Sequence, residues 1–118
     1  MSGQYAVNAA AAFPDRFAAA ASVYGVKLVT DRPDSPHLAA RRAQAEFYFA
    51  CAELDEHIGL DEVKALAEAL AEASVTAEVE IYPRVDHGFA FPERAAYDKG
   101  AAERHWERLF ALYRRRLG

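Results

Sequence analysis

Two short segments concentrate the side chains able to move protons: Glu53-Leu54-Asp55-Glu56-His57 and Asp86-His87-Gly88-Phe89. A carboxylate followed later in the chain by a histidine is the order of acid and base in the nucleophile–acid–histidine triads of open α/β sheets. There the imidazole takes the nucleophile's proton and later returns it to the leaving group. The carboxylate holds the imidazole in one tautomer and stabilises the imidazolium. Asp55 is the candidate acid and His87 the candidate base. Gly88, directly after His87, suits a tight backbone beside a site. Each residue also has a plainer use. Asp55 can cap the helix that follows it, and a loop histidine can simply be solvated.

Arg94 lies seven residues beyond His87 on the same segment. It can clamp an anionic group by a bidentate pair, or stand free in water. Phe89 and Tyr97 can line an apolar pocket for substrate, or pack in the core. Arg94 and Phe89 are taken as the candidate substrate-binding residues. His57 and His87 with Asp55 and Asp86 raise the question of a metal. No HExxH motif and no paired Cys/His spacing is present, so no metal set is expected. The single cysteine, Cys51, sits inside an apolar run and reads as a small buried hydrophobe. Ser22 and Ser35 have no tight glycine-bounded turn around them.

These loops need a scaffold. Residues 45–52 (AEFYFACA) form the clearest strand, aromatic and apolar throughout. Residues 17–24 are a continuous small or apolar run, the pattern of a strand buried on both faces. Residues 77–82 alternate as a strand, and Pro83 ends it. Residues 60–73 place Leu60, Val63, Leu66, Ala67 and Leu70 on one stripe of an amphipathic helix. Residues 2–13 are an Ala-rich helix, and residues 98–117 form a last helix with Trp106, Leu109, Phe110, Tyr113 and Leu117 at helical spacing. Residues 27–37 are a loop, and residues 38–42 a short helical turn. Strands alternating with helices imply a parallel sheet with right-handed crossovers. Sites in such sheets form beyond the C-terminal strand ends, where Asp55 and His87 fall. Three strands are fewer than the four to six typical of a sheet, about five on average. The arrangement leaves an apolar edge open to pairing.

Composition narrows the class. The 118 residues suffice for one small domain, 53% are apolar, and the net charge is −4. A mildly acidic chain is a poor general binder of nucleic acid. The arginines at 114–116 complement the dipole of the last helix. No run approaches the ~20 apolar residues of a membrane span. Neither a signal peptide nor a disulfide framework is evident, so the expected location is cytoplasmic.

Several segments resemble the dienelactone hydrolase family of the α/β-hydrolase superfamily. They are residues 29–37 (VTDRPDSPH), 52–56 (AELDE) and 82–92 (YPRVDHGFAFP), with Tyr97-Asp98 and residues 102–106 (AERHW) near the end. The resemblance implies that residues 1–118 are the C-terminal half of an α/β-hydrolase domain, three parallel strands with flanking helices. It implies catalytic roles for Asp55 and His87 in a cofactor-free hydrolase acting on a small-molecule carboxylic ester or lactone. The family's nucleophile, a Cys or Ser in a sharp strand-to-helix turn, would fall just before Met1. Ser2, one position beyond, would point elsewhere. The backbone amide of Met1 would be an oxyanion donor. By this reading the chain carries acid and base without a nucleophile and is inactive alone. The alternative is a non-catalytic remnant or interaction module that self-associates through its open sheet edge.

Overall fold

The seven residues Glu46–Ala52 form one strand whose side chains from Phe47 on are aromatic or small on both faces, so neither face tolerates water there. They form β2, the middle strand of a three-stranded parallel sheet ordered β1-β2-β3. β1 is Ala19–Val23 and β3 is Ala77–Tyr82. Phe47, Phe49 and Cys51 point to one face, where α1 (Gly3–Ala12) and α3 (Leu60–Glu72) pack through Val7, Ala10, Val63, Leu66 and Leu70. Tyr48, Ala50 and Ala52 point to the other, against Tyr82, Phe89 and Leu112 of α4 (Lys99–Leu117). Each large side chain so buried contributes about 1.5–3 kcal/mol. A short helix, α2 (Pro36–Ala39), runs into a 3₁₀ turn at Ala40–Arg42 beside α1. The structure, a computed structural model, describes residues 2–118.

The α/β class, the parallel sheet and the alternation of elements are as the sequence implies, with small shifts at the ends. α4 begins one residue later than expected because Asp98 is its N-cap, accepting from the Ala101 amide at 2.8 Å. α2 begins before the expected turn because Pro36 suits the first helical position. β1 is shorter than its apolar run because Tyr24 leaves the strand with φ 41°. The C-terminal arginines do more than face a dipole. Arg115 pairs with Glu46 at 2.7 Å, and Arg116 donates to the Ala18 carbonyl at 3.3 Å, tying the helix end to the N-terminal end of the sheet.

A polar network holds α4 against the sheet. Tyr48 donates to Glu80 at 2.7 Å and shares a 2.6 Å hydrogen bond with the Tyr82 hydroxyl, while Arg104 reaches Glu80 at 2.7 Å. Burial pushes Tyr48 above its ordinary value and Tyr82 up to about 12, so both stay protonated donors. Burial would raise Glu80 as well, but hydrogen bonds from Tyr48, Tyr82 and Arg104 outweigh it and hold the carboxyl below its ordinary 4.5. A carboxylate whose pKa is lower in the folded than in the unfolded state adds stability above the unfolded value. That stability is lost as pH falls through the folded one. Glu80→Gln is therefore expected to flatten the loss of stability below about pH 4.5, measured by urea unfolding at pH 3–6. An unchanged pH dependence would mean that Glu80 does not hold this role.

Candidate active site

The β2–β3 ladder carries on past the strand ends. The Glu53 amide donates to the Tyr82 carbonyl at 3.0 Å and the Leu54 amide to the Val85 carbonyl at 3.0 Å. Those bonds lay the loop holding Asp55 alongside the loop holding His87. Asp55 Oδ2 and His87 Nδ1 meet at 2.8 Å, although 32 residues separate them. The Asp55 side chain is fully buried, and the His87 side chain keeps 22% of its surface exposed. Asp55 Oδ1 accepts the His57 amide at 2.8 Å, so both carboxylate oxygens are engaged. Asp55 does not cap α3. Gly59 occupies that position, because the loop turns Asp55 inward before the helix starts.

Aromatic rings hold His87 in place. Tyr24 tilts against it with centroids 4.8 Å apart, and the His57 ring stands edge-on at 4.9 Å. The left-handed φ of Tyr24 carries its ring off the β1 tip and over His87; such backbone conformations persist only where surrounding structure enforces them. Burial raises the Tyr24 phenol above its ordinary value, against the opposing charge of Arg94. Gly88 has φ 93°, a conformation that calls for glycine, and a Cβ there would meet Arg94 Cδ at 2.7 Å, so the exposed Arg94 side chain would have to move aside.

His87 faces an open cavity of about 650 Å³ that Ser2 and Gly3 at the start of α1, Tyr24, Phe91 and Arg94 also line. Arg94 makes no ion pair among the described residues, leaving its guanidinium available to an anion at this wall. Phe89 is not part of this wall. It is fully buried, stacked on Tyr82 at 5.0 Å and edge-on to Tyr24 at 5.3 Å, so its expected contact with substrate is corrected to a core role. Phe91, two residues on and 49% exposed, lines the cavity instead. Tyr97 is partly exposed and does not line it.

Ser22, on β1, was passed over in the sequence for want of a turn around it. Its Oγ is buried without a hydrogen-bond partner among the described residues, and a Cβ at Gly3 or Gly25 would collide with it. The hydroxyl fills the space where α1 crosses close to the β1 tip, at the cavity wall. Gly3 precedes Ser22 by 19 residues, so the two glycines meet around it only in the fold and no local pattern marks it. Cys51 is buried, and burial together with the Asp55 charge pushes its thiol up to about 12, far from a reactive thiolate. Met1, whose amide the resemblance makes an oxyanion donor, lies outside the described residues.

Known proteins share this architecture. Residues 1–117 match the model of the dienelactone hydrolase family. The chain is 28% identical over 116 residues to Protein usf of Aquifex pyrophilus, covering 98% of this chain and 48% of that protein. A Klebsiella pneumoniae structure assigned to the dienelactone hydrolases superposes with a TM-score of 0.84 at 30% identity, over 94% of this chain and 47% of that one. A dienelactone hydrolase-like promiscuous phosphotriesterase from metagenomic libraries shares the fold, with a TM-score of 0.68 at 21% identity over 81% of this chain and 42% of that one. The chain thus spans about half the length of the relatives it matches. With an α/β sheet of the same form and a family match along nearly its whole length, the chain belongs to the dienelactone hydrolase family.

Proposed function

We propose that this chain supplies the acid–base half of a carboxylic-ester or lactone hydrolase, with the nucleophile coming from outside the described residues. The observation that carries the reading is the 2.8 Å contact between Asp55 Oδ2 and His87 Nδ1 beside a cavity bounded by the start of α1. Asp55 accepts a hydrogen bond from Nδ1–H, which leaves Nε2 as a free base. Nε2 takes the proton of a Cys or Ser as that nucleophile attacks the ester carbonyl. It then returns the proton to the departing alcohol. Arg94 would clamp a carboxylate on the substrate, and Phe91 would cover its apolar part. The lone, buried thiol of Cys51 suits a reducing cytosol.

The chain alone is expected to hydrolyse p-nitrophenyl acetate no faster than its His87→Ala variant. Turnover that disappears with His87→Ala would sink this division of labour, because it would require a nucleophile among the residues present.

A second reading rests on the outer edge of β1, which pairs with no strand other than β2 among the described residues. In that reading two copies join edge to edge, covering backbone groups that a lone sheet leaves open. Sedimentation velocity at micromolar concentration is expected to give a dimer if this pairing occurs, and a clean monomer would rule it out.

A further inference from the structure

Asp55 and His87 have a third neighbour that the hydrolytic reading does not use. Asp55, His57 and His87 each offer a ligand atom, and these atoms all lie within 4.8 Å of one another. We propose that the three side chains form a binding site for one zinc-class divalent cation, seated between the Asp55 carboxylate and the two imidazoles.

Two nitrogen donors and one carboxylate oxygen are a zinc-type ligand set, whereas calcium and magnesium prefer oxygen alone. Zinc bonds of about 2.0–2.2 Å put the ligand atoms of a tetrahedral site roughly 3.3 Å apart. Asp55 Oδ2 and His87 Nδ1 lie 2.8 Å apart across a shared proton, so the two must part by about half an ångström and turn toward a common point as the metal enters. The His57 ring has to swing inward as well, and its exposure leaves it room to do so. The carboxylate is oriented beforehand, because Oδ1 is held by the His57 amide at 2.8 Å. Outer hydrogen bonds of this kind sharpen metal sites. The chain's other imidazoles are engaged elsewhere. His37 Nδ1 is bonded to Ser35 Oγ at 2.7 Å, and His105 is buried with Nδ1 on the Ala102 carbonyl at 2.6 Å.

The cation would displace the proton between Nδ1 and Oδ2, and the coordinated imidazole stays neutral by carrying its one ring proton on Nε2 instead. Bound there, it holds His87 away from proton transfer and acts as a reversible block. The site stands on the geometry of three side chains, so it holds whether or not the assembled protein cleaves esters.

Isothermal titration calorimetry of the untagged, chelator-treated chain with zinc chloride tests this directly. The expected result is one zinc per chain. His57→Ala should weaken binding by at least the ~10–100-fold typical of losing even an outer-shell partner. His37→Ala should leave it unchanged. In the unmodified chain, the ring signals of His57 and His87 should shift together with one equivalent of zinc while those of His37 and His105 stay in place. This second readout needs no variant to fold. No binding at 100-fold excess zinc, equal binding in His57→Ala, or shifts confined to His37 or His105 would overturn the proposal.

Discussion

Asp55→Asn is expected to lower kcat about 10⁴-fold in a hydrolase assembled from this chain and a nucleophile-bearing N-terminal half. The reason lies in which oxygen faces which partner. Asp55 Oδ1 accepts the His57 amide, and Oδ2 faces His87 Nδ1. An asparagine must keep its carbonyl oxygen toward the His57 amide, which turns its NH₂ group toward Nδ1. A donor there requires Nδ1 to be the acceptor, so the ring proton moves to Nε2. Nε2 can then no longer accept a proton from the nucleophile. The isolated chain reports the same switch without catalysis. Long-range ¹H–¹⁵N spectra should show the Nδ1–H tautomer of His87 in the unmodified chain and the Nε2–H tautomer in the variant. A loss of kcat under tenfold, with the tautomer unchanged, would remove Asp55 from the proposed triad.

Phe89→Ala is expected to cost about 3–5 kcal/mol of stability, and Phe91→Ala much less. The two rings are two residues apart and chemically identical. Phe89 has no exposed surface and fills the space between Tyr82, Tyr24 and His105. Removing it leaves a cavity bordered by stiff aromatic rings that cannot collapse into it. Phe91 is 49% exposed at the cavity wall. For a domain of this size the Phe89 variant should melt roughly 10–20 °C lower by circular dichroism. The Phe91 variant should keep its melting temperature and show its effect in KM of the assembled hydrolase. Equal melting temperatures for the two variants would contradict the core role of Phe89. The same ring supports Tyr24, which lies against His87, so the stability of the core and the orientation of the base are linked.

The sheet was legible because its cause is local. A strand segment buried on both faces must be apolar at every position, and β2 is from Phe47 to Ala52. A helix that packs on one side must repeat its apolar residues every three or four positions, as α3 does with Val63, Leu66 and Leu70. Proline, glycine and aspartate punctuate these runs through their own backbone preferences, so the element ends fall close to where the letters place them. Asp55 and His87 stood out by type, order and position after successive strands.

Residue types and their periods were thus enough to determine the alternating elements, the two loops that carry the chemistry and the likeness to a family. Only the tertiary structure decided which atoms meet. The β2–β3 register aligns two loops 32 residues apart and sets the 2.8 Å contact. Loop direction brings His57 to the same point, hides Phe89, exposes Phe91 and leaves Ser22 between two glycines. Spacing along a chain limits which residues can share an element, whereas distance between elements depends on how their side chains pack.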